Sequence, residues 1–173
     1  MAGMRFLVLT VSDRCARGEQ VDTAGPAVMA RLRERWPGAE ISAGLVADEA
    51  GEIAGVLKRC AQEGAALALT VGGTGMGPRD VTPEATRRVL EREAPGLAEA
   101  MRARGAEKNR FAWLSRGVAG LRARTLIVNL PGSLRGALES LEAIADLLDH
   151  ALAVAAGEQT HPASEPERRG AGN

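Results

Sequence analysis

The sequence predicts a three-layer α/β/α domain built on a mostly parallel sheet. Short, nearly continuous apolar runs stand at Arg5–Val11 and Ala65–Val71, as strands buried on both faces require. A looser alternation over Ala39–Val46 and runs at Val118–Leu121 and Thr125–Leu130 add further strands. Segments with apolar residues at helical spacing lie between them. Strands alternating with helices in this way imply a parallel sheet covered on both faces.

Each element has a local reason. Asp22 or Thr23 can cap a helix that carries Val28, Leu32 and Trp36 on one face and stops at Pro37-Gly38. Asp48-Glu49 opens a helix with Ile53, Val56, Leu57 and Cys60 along its apolar stripe. Thr82 is suited to an N-cap and Pro83 to the first helical position, predicting a helix from there to about Ala94 that Pro95-Gly96 breaks. A further helix is expected over Leu97–Arg104, and Phe111–Arg116 has no clear periodicity. After Pro131-Gly132-Ser133 comes a long helix with Leu138, Leu141, Ile144, Ala145, Leu148 and Leu152 on one face. Residues 1–156 are expected to form the domain, and 157–173, rich in Glu, Pro, Arg and Gly, a disordered and dispensable tail.

Composition narrows the function. A 173-residue chain that is 45% hydrophobic can build one ordinary core. Lys plus Arg and Asp plus Glu each number 22, so net charge offers no argument for nucleic acid or a membrane surface. The apolar run after Met1 is too short for a signal peptide or a membrane span, so a soluble cytoplasmic protein is expected. Cys15 and Cys60 have no metal-site spacing. With only His150 and His161, the chemistry should fall to carboxylates, backbone amides and a hard cation.

Parallel α/β sheets bind ligands outside the carboxyl ends of their strands. Ser12-Asp13, Asp48, the loop Gly72–Asp80 and Pro131-Gly132-Ser133 all fall at that edge. The glycine loop is neither a Walker A motif nor a G-x-G-x-x-G, because Pro78 follows Gly77. It reads either as a tight strand-to-helix turn or as an anion cradle, since glycines leave amides unshielded ahead of a helix start. Asp13 reads as a ligand contact or a loop cap, Asp22 first as a helix cap, and Arg79 as a clamp or an ion-pair partner. Ser133 can cap the last helix while amides near Gly132 take a phosphate.

Gly72-Gly73-Thr74-Gly75 followed by Pro78-Arg79-Asp80-Val81-Thr82-Pro83-Glu84-Ala85-Thr86 closely resembles the signature of the molybdopterin adenylyltransferase family. The likeness extends from Val11-Ser12-Asp13 to about Leu152. It includes Asp22 before Gly25-Pro26, Asp48-Glu49, Pro95-Gly96, Leu114-Ser115-Arg116 and Asn129-Leu130-Pro131-Gly132. Gly105 departs from the polar residue of some relatives. The resemblance implies adenylyl transfer from ATP to the terminal phosphate of molybdopterin, with release of pyrophosphate. It implies Mg²⁺ held by Asp48 and Asp80 as the catalytic carboxylates. It places substrate against Ser12, Asp13, Gly72, Gly73, Thr74, Gly75, Thr82, Ser115, Pro131, Gly132 and Ser133, with the pterin near Ser115 and Pro131-Gly132. It further implies a homotrimer or hexamer and hand-over to the molybdate-inserting enzyme of the pathway. Three rivals are a non-catalytic pterin-binding module, a pyridine-nucleotide-recycling hydrolase on a related domain, and the longer molybdate-inserting enzyme. For assembly, Phe111-Ala112-Trp113-Leu114 reads as interface or as core.

Overall fold

The computed structural model describes residues 3–158. Six strands form one sheet in the order β2-β1-β3-β6-β5-β4, with β1 at Arg5–Val11, β2 at Glu40–Val46, β3 at Leu67–Val71, β4 at Arg92–Glu93, β5 at Ala119–Arg122 and β6 at Thr125–Leu130. The pairs β2/β1, β1/β3 and β3/β6 are parallel, and β5 runs antiparallel to both β6 and β4. The expected class, α/β with a mostly parallel sheet, is the observed one.

Strand alternation divides the interior. Phe6 and Val8 of β1 face one layer, with Leu67, Leu69, Val71, Leu126, Val128 and Leu130. Leu7, Leu9 and Val11 face the other, with Ala68 and Ile127. Helices α2 (Ala24–Arg35), α5 (Pro95–Ala106) and α6 (Leu134–Ala156) cover the first face through Val28, Leu32, Met101, Ile144 and Leu148. Helices α3 (Ala50–Gln62) and α4 (Thr82–Arg87) cover the second through Ile53, Leu57 and Ala85, joined by Val89 just beyond α4. The strands β1, β3 and β6 thus bury both faces, which is why their sequences read as nearly uninterrupted apolar runs.

The helix expected to reach Ala94 ends at Arg87. Beyond it, Glu91 N–H donates to Leu121 O at 2.9 Å and Ala94 N–H to Ala119 O at 2.8 Å, so the chain joins the sheet edge as β4. The ladder offers those amides partners across the sheet, and a two-residue strand has too little sequence to announce itself. Pro95 starts α5 rather than only ending the previous helix. A short helix α1 (Asp13–Ala16) occupies the start of the loop after β1, capped by Ser12 Oγ, which accepts from Cys15 N–H at 3.2 Å.

The ambiguous segment is a 3₁₀ turn, Arg110–Leu114. Phe111, Trp113 and Leu114 are 64%, 58% and 52% exposed in the single chain, which removes the core reading. Helix α6 ends at Ala156 with Gly157 left-handed at φ 94°, where glycine carries no Cβ penalty. The remainder of the expected tail, 159–173, lies outside the described residues. Among the described residues, no helix is long and apolar enough to cross a membrane.

Candidate active site

The parallel strands β1, β2, β3 and β6 present their carboxyl ends side by side, and each is followed at once by a polar or glycine-containing turn. Two clefts of about 600 Å³ each open there. The first is walled by Ser12, Asp13, Asp22, Asp48 and Gly72, among others. The second is walled by Thr74, Gly75, Met76, Phe111, Ser115 and Pro131, among others. Gly73, Asp80, Gly132 and Ser133 line both, so the two clefts share one boundary.

Close approach of neighbouring atoms forces two glycines at and beside that boundary. Gly72 sits at φ +112°, and a Cβ there would lie 2.2 Å from Val11 O. Gly73 sits at φ +64°, and a Cβ there would lie 2.3 Å from Thr82 Oγ1 and 3.0 Å from Asp48 Oδ1. The second glycine is therefore the point where the loop passes between α4 and the Asp48 carboxylate.

Thr82 departs from its expected role. It is fully buried, lines neither cleft, and its hydroxyl donates to Gly72 O at 2.9 Å. Val81, not Thr82, occupies the N-cap position of α4. Thr82 N–H also donates to Gly73 O at 3.1 Å, so Thr82 pins the two-glycine turn from beneath. Local sequence cannot distinguish this from a cap, because the acceptor comes from a turn ten residues earlier.

Asp48 likewise is no helix cap: α3 has no side-chain cap bond. Its Oδ2 instead accepts from Asp13 N–H at 2.8 Å, and its own N–H donates to Asp13 Oδ1 at 3.0 Å. Burial raises the Asp48 pKa above the ordinary aspartate value; the Asp13 amide opposes this, and the negative charges of Asp13 and Asp80 add to it. Asp13 is shifted down, chiefly by its hydrogen bonds from Arg79 and then by the Asp48 amide. Arg79 donates to Asp13 at 3.0 Å and to Glu49 at 2.8 Å and lines neither cleft, which is the ion-pair alternative rather than the clamp. Thr23 holds the N-cap position of α2 without a side-chain cap bond; Asp22, one residue earlier, accepts from Gly25 N–H in the first turn at 3.0 Å and also receives the Thr10 hydroxyl at 2.6 Å.

Asp80 Oδ2 accepts from Gly77 N–H at 2.7 Å, closing a tight turn at the end of the glycine loop. Ser133 caps α6, its Oγ accepting from Gly136 N–H at 3.2 Å. That 23-residue helix points its amino end at the shared boundary, where its dipole and first amides favour an anion.

Among the described residues, no group of three or more His, Cys, Asp or Glu forms a metal cage. Mg²⁺ needs none: it binds through one or two carboxylates, substrate phosphates and water. Asp48 and Asp80 meet that description, since both line the first cleft and repel each other through space. A half-buried carboxylate whose ionised form is disfavoured is a group that a cation relieves.

Residues outside the expected set also reach the clefts. Arg14 and Arg17 line the first and Arg135 the second. Their sequence signal was available: each stands within a few residues of a strand's carboxyl end. Cys15, half-buried, lines the first cleft, whereas Cys60 is buried on α3 and its thiol is pushed up to about 11 by that burial.

A mostly parallel α/β domain with a glycine turn, a helix amino terminus and the Asp80 carboxylate at the boundary of paired clefts defines the class of site. The chain belongs to the family described as the probable molybdopterin binding domain, which matches residues 7–150. It is 53% identical to the molybdopterin biosynthesis enzyme MoaB from Thermus thermophilus, covering 90% of this chain and 98% of that one, with a TM-score of 0.81. It is 40% identical over 139 residues to a molybdopterin adenylyltransferase from Helicobacter pylori, covering 79% of each. It is 39% identical over 153 residues to the molybdenum cofactor synthesis protein cinnamon of Drosophila melanogaster, covering 88% of this chain and 26% of that protein. The chain spans about half the length, or less, of the first curated relatives that it matches.

Proposed function

We propose that this protein is a nucleotidyltransferase that adenylylates molybdopterin in molybdenum cofactor biosynthesis. The observation that carries this is the shared boundary of the two clefts at Gly73, Asp80, Gly132 and Ser133. Such a boundary can hold two phosphates against each other, as group transfer between bound substrates requires. ATP is assigned to the first cleft. The pterin is assigned to the second, whose Met76, Phe111 and Leu114 offer an apolar wall for a planar ring.

In the reaction, an oxygen of the pterin's terminal phosphate attacks the α-phosphorus of ATP. The bond from that phosphorus to the bridging oxygen breaks, and pyrophosphate leaves with its electron pair. The phosphate nucleophile is already ionised, so no strong general base is needed. The glycine-loop amides and the amino end of α6 orient the two phosphates and offset their repulsion. Asp48 and Asp80 would hold Mg²⁺, which, when bound, neutralises phosphate charge. The exposed Trp113, which lines neither cleft, supports self-association as a homotrimer or a hexamer, read by light scattering. The adenylylated pterin is handed to the molybdate-inserting enzyme of the pathway.

Incubation with molybdopterin, Mg²⁺ and ATP labelled in the adenylyl group tests the reading. Label should appear on the pterin in step with pyrophosphate. Binding of both substrates with no labelled pterin would reduce the protein to a pterin-binding module, and label released as free AMP would make it a hydrolase.

A further inference from the structure

Arg116 joins the walls of the two clefts. Its N–H donates to Thr74 O at 2.9 Å and its Nε to Gly75 O at 2.7 Å. The rest of its guanidinium donates to Asp80 O and to the Glu84 carboxylate on α4. Arg102 of α5 donates to the carbonyls of the residues flanking Arg116, Gly117 O at 3.1 Å and Ser115 O at 3.4 Å. One side chain therefore reaches both ends of the loop from Gly75 to Asp80, while the residue before it, Ser115, lines the second cleft.

The peptide bond is planar and trans, so fixing a carbonyl fixes the N–H across the plane in the opposite direction. Holding Gly75 O from the side chain sets the Met76 amide away from Arg116, on a residue that lines the second cleft, whereas Thr74 O is held by the main-chain N–H that any residue but proline at position 116 supplies. Holding Asp80 O fixes the backbone from which the shared carboxylate projects. Without such a tether, a segment containing Gly73, Gly75 and Gly77 has many peptide orientations to lose before it can bind anything.

We propose that the Arg116 side chain is a positioning group that presets the Met76 amide and the Asp80 backbone for an anionic group held between the clefts. Arg116 touches no reacting atom; it acts through the loop. The expected effect on turnover rests on the adenylyl-transfer reading above, whereas the effect on the loop does not.

Three variants separate the roles: Arg116→Met removes every guanidinium contact, Arg116→Lys keeps charge but not the fork geometry, and Glu84→Gln removes only the ion pair. The backbone order parameter for Met76 should fall from about 0.85 to below about 0.6 in Arg116→Met and stay high in Glu84→Gln. For adenylyl transfer, kcat in Arg116→Met should drop about 30-fold, with KM for ATP changed less than about threefold, as expected when only transition-state geometry is lost. Arg116→Lys should recover part of that loss, and Glu84→Gln should stay within about threefold of the parent. An unchanged order parameter in Arg116→Met would overturn the proposal, and so would equal kcat losses in Arg116→Met and Glu84→Gln, which would show a general loss of stability. A parent protein without adenylyl transfer would sink the functional reading alone, because the order parameter still decides the role of Arg116.

Discussion

Asp13 and Asp48 hold each other's main chain: each carboxylate accepts the other's amide, at 2.8 Å and 3.0 Å. This reciprocal clasp ties the turn after β1 to the turn after β2. Arg79, from the far end of the glycine loop, closes on Asp13 and ties the third turn to the same point. Three loops remote in sequence are thus locked around the wall of the first cleft.

Removing charge from the carboxylates should stop chemistry without unfolding the protein. Asp80→Asn is expected to slow adenylyl transfer by about two to three orders of magnitude, the usual loss for one electrostatic element of a site. Pterin binding should persist. Asp48→Asn should act in the same direction and more mildly. Isothermal titration of Mg²⁺-ATP against metal-free ATP should show the larger loss for the metal complex. Normal turnover by Asp80→Asn at saturating Mg²⁺ would remove it from the catalytic set.

Gly73→Ala places a Cβ at φ +64° and 2.3 Å from the Thr82 hydroxyl. Relief requires the turn to move, at a cost of about 1–3 kcal/mol for the strained backbone. Urea unfolding should register that loss. Affinity for ATP and for the pterin should fall together, since Gly73 lines both clefts. A selective loss of one ligand would place the shared boundary elsewhere.

Asn129 is a polar side chain in the middle of the core. Its amide donates to the Thr70 and Thr86 hydroxyls, both at 2.9 Å, and its Oδ1 accepts from Val118 N–H at 3.2 Å. It links β3, α4 and the start of β5 across β6. Asn129→Leu leaves the Val118 amide without that partner and should destabilise the fold by about 2–4 kcal/mol in urea titration. A loss below about 1 kcal/mol would mean that the hydroxyls and the amide find new partners.

Glu84 provides a pH test. The Arg116 hydrogen bond holds its carboxyl below the ordinary glutamate range. A depressed carboxylate pKa contributes stability above the unfolded value, about 4.3, and that contribution is lost as pH falls through the lower folded value. The stability difference between the parent and Glu84→Gln should therefore be present at pH 6 and vanish toward pH 3. The pair is partly exposed, with side chains 32% and 43% accessible, so the difference should stay under about 1 kcal/mol. A difference that grew on acidification would reverse the assignment.

The sequence by itself determined the class of fold and the edge at which ligands meet. Strand identity was legible because residues such as Phe6–Val11 and Leu67–Val71 are apolar on both faces, and the helices because Ile53, Leu57 and Cys60 repeat at helical spacing. These are local signals, carried within a few residues. The positions of Gly72, Gly73, Asp48, Asp80 and Ser133 at strand ends followed from the rule that parallel sheets present their turns at one edge. Tertiary structure alone decided what each polar side chain does there. Thr82 looked like a cap and instead holds Gly72 O, Asp48 looked like a cap and holds Asp13, and Arg79 met Asp13 and Glu49 rather than a cleft. The helix after Pro83 stopped early because the sheet edge offered its successors a ladder. Arg116 stood within the Leu114-Ser115-Arg116 likeness, but its role was not legible, because its acceptors on the glycine loop come from 36 and 41 residues away. A hydrogen bond is satisfied by whichever partner the assembled fold brings within about 3 Å, and no local periodicity encodes that choice.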